Sequence, residues 1–93
     1  MKRQLLYSNA FVRAARRAAK KHPQAAQDIQ ETLEQLGENA FHRSLRTHKL
    51  KGKLANSWAC SAGFDLRIVF AFVQFEGEAA ILLETIGTHE DVY

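Results

Sequence analysis

The side chains best suited to chemistry crowd into one stretch, Ile86-Gly87-Thr88-His89-Glu90-Asp91-Val92-Tyr93. A histidine, two acids and a tyrosine can each hold, move or orient a proton, whereas a chain end is ordinarily frayed and free of such density. A second concentration runs from Glu38 to Lys53, where His42, Arg43, Arg46, His48, Lys49, Lys51 and Lys53 gather in a segment of weak periodicity. These side chains have no core to serve, and loops carry function more often than cores do. The third candidate is Arg67. It stands in the apolar run Asp65-Leu66-Arg67-Ile68-Val69-Phe70-Ala71-Phe72-Val73 and shares a face with Asp65, Val69 and Ala71 if that run is extended. A buried strand holds a guanidinium when it pairs with an acid, here Asp65 or Glu84, or when it meets a ligand phosphate.

The elements around these residues must position them. The run from Ala79 to Ile86 reads as a buried strand, so the chemical stretch begins where a strand ends. Asp65–Val73 is the strongest strand of the chain, β-branched and aromatic throughout, and Glu76-Gly77-Glu78 is a hairpin turn between the two. Trp58, Cys60 and Ala62 alternate with Ser57, Ala59 and Ser61, and Gly63 supplies a turn. The final forty residues thus read as an antiparallel meander. Ahead of them, Lys2–Tyr7 reads as a first strand and Ser8-Asn9 as a helix N-cap signal. A helix from about Ala10 to Lys21 follows, with Phe11, Ala15, Ala18 and Ala19 inward and Arg13, Arg16, Arg17, Lys20 and Lys21 outward. Pro23 opens a second helix, with His22 a capping or surface residue before it. Ala26, Ile29, Leu33 and Leu36 recur at helical spacing until Gly37 stops the run.

With 93 residues, 46% hydrophobic and six Phe, the chain is read as a single domain over 1–93 with its own core, and disorder is excluded. Cys60 is the one cysteine, so no intramolecular disulfide can form. It fits as a small buried hydrophobe, since no base is evident beside it. No signal-peptide pattern and no apolar run near the roughly 18 residues of a span are present, which implies a soluble, cytoplasmic protein with no membrane partner. The net charge of +3 hides an asymmetry. Residues 1–53 carry 12 Lys and Arg against 4 Asp and Glu, and residues 54–93 carry 1 against 6. A basic front half suits a polyanion such as RNA, DNA or the ribosome, and equally a solvated face on ordinary helices.

Four local motifs stand in order behind the strand and helical hairpin: His48-Lys49-Leu50-Lys51-Gly52, Asp65-Leu66-Arg67-Ile68-Val69-Phe70, Ile86-Gly87-Thr88-His89 and Asp91-Val92-Tyr93. In this combination the chain resembles the RelE/ParE superfamily of bacterial toxins, and most closely the RelE and YafQ-like mRNA endonucleases. The resemblance implies an α+β fold, with an N-terminal strand and helical hairpin packed on an antiparallel β-sheet. It also implies the toxin of a toxin–antitoxin system, which enters the ribosomal decoding site and cuts the mRNA there. No metal or other cofactor takes part. A small cognate antitoxin holds such a toxin inactive, with a toxin–antitoxin hetero-oligomer as the resting form.

The implied reaction is attack of a ribose 2′-hydroxyl on the adjacent phosphate, which needs a base, cations for the phosphorane charge and an acid for the leaving 5′-oxygen. His89 matches the histidine of the family's Gly-Thr-His motif and is the candidate acid, with an unperturbed pKa near 6.5. His48 is the candidate base, with Asp65 either the alternative base or the group that orients a histidine. Arg67, Lys49 and Lys51 would hold the scissile phosphate, with Arg46 and Lys53 as further RNA contacts. Tyr93 matches a family aromatic that positions the mRNA. Two positions depart from the YafQ-like pattern: Thr85 stands where such members carry Arg, and Ser61 where they carry His. Two other readings share the fold, a ParE-like inhibitor that binds DNA gyrase and cleaves nothing, and a degenerate toxin that only binds its antitoxin.

Overall fold

The computed structural model describes residues 2–52 and 56–92. Strand β1 (Gln4–Tyr7) leads into helices α1 (Asn9–Lys21) and α2 (Pro23–Glu38). Strand β2 (His48–Lys49) follows, then β3 (Trp58–Ala62), β4 (Leu66–Phe75) and β5 (Glu78–Thr88), and the short helix α3 (His89–Val92) closes the described chain. The five strands form one sheet in the order β1-β5-β4-β3-β2. The meander β2-β3-β4-β5 is antiparallel as expected. Strand β1 joins it in parallel, Leu5 opposite Ile81 and Tyr7 opposite Leu83. The α+β architecture expected from the sequence is the one observed.

Local chemistry sets most of the boundaries. Ser8 caps α1, its hydroxyl accepting from the Phe11 amide at 3.0 Å and donating to the Glu84 carbonyl at 3.2 Å, which ties the helix start to β5. Pro23 is the first residue of α2, and His22 occupies the N-cap without a side-chain capping bond. The inward faces keep Phe11, Ala15, Ala18, Ile29, Leu33 and Leu36 from the sequence reading and shift by one residue at two alanines. Phe11 and Ala14 are the buried residues of α1, with Ala15 and Ala18 partly packed, and Ala25 rather than the exposed Ala26 begins the buried stripe of α2. Both shifts follow from packing, because Ala14 lies at i+3 from Phe11 and Ala25 at i−4 from Ile29.

Gly37 does not stop α2, which runs on to Glu38. Its carbonyl accepts from the Arg3 amide at 2.7 Å, and a Cβ there would meet the Arg3 carbonyl oxygen at 3.4 Å. The glycine thus serves the close approach of α2 to β1. The hairpin between β4 and β5 turns on Glu76 (φ 52°) and Gly77 (φ 82°), both left-handed, as a two-residue turn of the type matched to strand twist requires. The basic segment after α2 is not a bare loop. It contains a 3₁₀ turn at Arg43–Leu45 and the strand β2, Leu45 and Leu50 are buried, and the Thr47 hydroxyl donates to the Ala40 carbonyl at 2.6 Å.

Two apolar clusters lie on opposite faces of the sheet. Ile68, Phe70, Leu83, Ile86 and Cys60 face the helices and pack with Phe11, Ala14, Ile29 and Leu36. On the other face Leu50, Ala59, Val69 and Val92 form a smaller cluster.

Candidate active site

Directly paired residues of neighbouring strands share a face, so the register says which side chains the sheet brings together. His48 pairs with Ala59, Ala59 with Val69, and Val69 with Thr85. One step along the strands, Ser61 pairs with Arg67 and Arg67 with Gly87. Ala59 and Val69 belong to the smaller cluster, so both rows lie on the face turned away from the helices. His48, Ser61, Arg67, Thr85 and Gly87 therefore share one surface. His48 stands two strands from the Arg67 strand, which at about 4.8 Å per strand leaves roughly 10 Å across the sheet, the space of one phosphate and its ribose between two long side chains.

A β-bulge shapes that surface. Val69 pairs with Thr85 but Phe70 pairs with Leu83, so Glu84 and Thr85 together oppose Val69. Leu83 and Ile86 both face the helices, so the two residues between them turn to the open face. The half-buried Glu84 carboxylate accepts from the Ser57 hydroxyl there at 2.6 Å. The Ser57–Glu84 pair was not found by sequence reasoning. No local pattern marks it, because the bulge appears only once β4 and β5 are in register.

The histidines occupy distinct settings. His48 is exposed, and its Nδ1 lies 3.0 Å from the Arg46 carbonyl oxygen. A carbonyl only accepts, so Nδ1 carries the proton and the neutral ring has its lone pair on Nε2, the arrangement of a base. Arg46 takes the left-handed conformation (φ 53°) just before β2, costing a non-glycine residue about 1 kcal/mol and presenting that carbonyl to His48. Arg46 thus contributes its backbone as well as an exposed side chain. His89 is the first residue of α3, immediately after β5, and is exposed. Asp65 is also exposed. Each of the two lies one residue beyond the last β4–β5 pair, Leu66 with Thr88, at the end of the sheet where Arg67 and Gly87 pair. Helix α3 then folds back over the open face, where Val92 packs with Leu50, Ala59 and Val69.

Arg67 is half-buried, and its Nη1 donates to the Leu66 carbonyl at 3.0 Å. Neither Asp65 nor Glu84 forms an ion pair with it; among the described residues the ion pair is Lys2–Glu38 at 3.5 Å. Its charge reaches the neighbouring strand. Burial pushes the Cys60 thiol up from 9.0 to about 12, against a smaller downward pull from Arg67 and from the Ile68 backbone. Cys60 is therefore a buried, protonated thiol and no nucleophile, as its sequence context suggested.

The lysines separate. Lys49 pairs with Trp58, so it alternates away from His48 toward the helix-covered side, while Lys51 is exposed beyond β2. Lys53 and Tyr93 lie outside the described residues. Ser61 and Thr85 each occupy a row of the open face, one beside Arg67 and the other in line with His48. Among the described residues no group of three or more His, Cys, Asp or Glu could hold a metal ion, and no helix is long and apolar enough to cross a membrane.

Comparison with known proteins bears on the family and the fold. The sequence pattern of a family described as bacterial toxin of type II toxin–antitoxin system, YafQ, matches residues 3–93. No curated protein sequence matches the chain. Among solved structures, a point mutant of YafQ from E. coli superposes with a TM-score of 0.79 at 16% identity, covering 99% of both chains. The E. coli DinJ–YafQ complex gives 0.77 at 17% identity, again over 99% of both chains. A metal-bound toxin from Helicobacter pylori gives 0.75 at 20% identity, over 97% of this chain and 98% of that one. At these identities the superpositions establish the fold.

Proposed function

The chain belongs to the YafQ family of type II toxin–antitoxin toxins, and from that premise we propose that it is a metal-independent endoribonuclease that cuts mRNA in the ribosomal decoding site. The observation that carries this reading is the register of the sheet. It gathers His48 and Arg67 on one open face and hands β5 directly to His89 at the end of the same face.

In the reaction, Nε2 of His48 takes the proton of the ribose 2′-hydroxyl, and the oxygen attacks the adjacent phosphorus. Arg67, held by the Leu66 carbonyl and by neither nearby acid, keeps donors for the oxygens of the phosphorane, whose charge it neutralises. His89, protonated at the start, gives its proton to the departing 5′-oxygen. The products are a 2′,3′-cyclic phosphate and a 5′-hydroxyl, and each histidine ends in the protonation state the other began in. Asp65, beside the Arg67–Gly87 end of the sheet, orients His89 or serves as the alternative base, and Tyr93 stacks on a base of the mRNA. Lys51 and Arg46 hold flanking phosphates, with Lys49 and Lys53 adding to the field.

The relative from E. coli is solved as a toxin–antitoxin complex, which supports a cognate antitoxin partner for this chain in a hetero-oligomer. A ribosomal target implies a cytoplasmic site of action. The test is induced expression without antitoxin, reading mRNA ends and DNA supercoiling together. Growth arrest with cut, translated mRNA is expected for the wild type and its loss for His89→Ala. Intact mRNA with blocked supercoiling would instead make the protein a gyrase inhibitor. Ser61 and Thr85, short neutral residues on the open face, favour a second reading, a toxin that retains only antitoxin binding; intact mRNA and unaffected supercoiling would establish it.

A further inference from the structure

The open face ends at the Arg67–Gly87 pair, but a cleft continues around the end of the sheet. It has a volume of about 350 Å³ and lies between the last turns of α1 and the ends of β4 and β5. Its floor is apolar, from Ala14, Ala18, Leu66 and Ile86, and it opens at Gly87 and Thr88. Its rim is cationic, from Arg17, Lys20 and Lys21, with the exposed ring of His22 beside them. No carboxylate lines it among the described residues. The clefts between β1 and α2 differ in charge: in one, Lys2 and Arg3 face Glu31, Glu34 and Glu38, and the other carries Glu34 beside Tyr7 and Gln30.

Lys20 and Lys21 would also answer the negative end of the α1 dipole, an effect of about 0.3–1 kcal/mol each. That accounts neither for Arg17, one turn earlier, nor for an apolar floor beneath the cations. An apolar floor, an aromatic edge and a ring of cations match a nucleotide, whose base is flat and apolar on its faces and whose phosphates are anionic. Continuity decides between RNA and an acidic protein segment, because the cleft shares Gly87 and Thr88 with the strand end that carries the candidate site.

We propose that this cleft is a subsite for the substrate RNA strand, which passes from the scissile phosphate at Arg67 around Gly87 and lays a flanking nucleotide between Arg17, Lys21 and His22. The inference rests on the endoribonuclease reading and names a further part of that site. Arg13 and Arg16 lie on the same helix outside the cleft lining and provide the internal control.

The experiment measures binding of a short single-stranded 2′-O-methyl RNA to the full chain by fluorescence anisotropy across a salt series. This RNA lacks the attacking hydroxyl, so binding is read apart from cleavage. Arg17→Gln with Lys21→Gln should lower the slope of log affinity against log salt by about 1.4, roughly 0.7 for each cation removed. Arg13→Gln with Arg16→Gln should leave the slope within error of wild type. His22→Ala should weaken binding about tenfold, and His22→Phe should restore it. Equal losses from both arginine-containing pairs would reduce the effect to diffuse charge and overturn the cleft. A loss confined to antitoxin binding, or to vacant small ribosomal subunits, would overturn it in favour of an acidic protein or ribosomal RNA. Wild-type protein that binds this RNA through the cleft yet leaves translated mRNA intact would sink the nuclease reading alone.

Discussion

On the helix-covered face of the sheet, Ile68, Phe70, Leu83 and Ile86 are buried against Phe11, Ala14 and Leu36. On the opposite face the interleaved positions carry His48, Ser61, Arg67, Thr85 and Gly87, and the apolar packing shrinks to Leu50, Ala59, Val69 and Val92. Alternation along the same strands therefore builds a foundation on one side and an open, more polar surface on the other. Because the surface side chains stand on strands whose other face is a packed core, their positions are fixed at little cost in helix or loop ordering. The bulge at Glu84 falls on the strand that both faces share, and it adds a side chain to the open face without removing one from the core.

Four measurements press on that division. The largest expected effect is on chemistry. His89→Ala should lower mRNA cleavage by about 10²–10⁴-fold while leaving the melting temperature near that of wild type, and a parallel loss of fold would break the division. Phe70→Ala, on the covered face, should destabilise the protein by about 3–5 kcal/mol in urea unfolding, whereas Val92→Ala on the open face should cost less than half of that. Equal costs would show that the open-face cluster is a second core.

A smaller effect concerns Cys60, whose thiol is pushed from 9.0 to about 12. The folded value is raised, so its full contribution to stability holds below about pH 9 and is lost as pH climbs toward 12. The slope is at most about 1.4 kcal/mol per pH unit. Cys60→Ala should flatten the stability profile over that window, measured by urea unfolding at fixed pH values. The smallest expected change is a gain: Thr85→Arg places a cation in the His48 row and should raise cleavage several-fold, less than the 10²–10³ by which removal of an existing donor lowers a rate. Cleavage of either form should be indifferent to chelator, and a requirement for added metal would overturn the metal-independent reading.

Much of the architecture was legible because the signals are local. Ser8 before a helical run, Pro23 at a helix start, Glu76-Gly77 between two apolar strands and the β-branched Ile68-Val69 all act within a few residues of themselves. The helix faces were misread by one position at Ala14 and Ala25, since alanine-rich helices offer little contrast and the partner surface decides which alanine is covered. Gly37 was misread as a stop because its role lies in β1, more than thirty residues earlier in the chain. The basic segment hid Leu45 and Leu50, whose burial depends on surfaces supplied from elsewhere in the fold.

The sequence by itself determined the inventory: a helical hairpin, a strand meander, a proton-rich chain end and a basic front half. It also held the motifs that marked the family. Tertiary structure decided which members of that inventory meet. Parallel pairing of β1 with β5, the alternation that puts His48 on the open face and Lys49 on the other, and the bulge that turns Glu84 toward Ser57 all depend on register between strands distant in sequence. Register is set by the sum of pairings across the whole sheet, and a slip of one residue would exchange the two faces. No local pattern carries that sum, so the candidate side chains could be named from the chain, and their arrangement only from the fold.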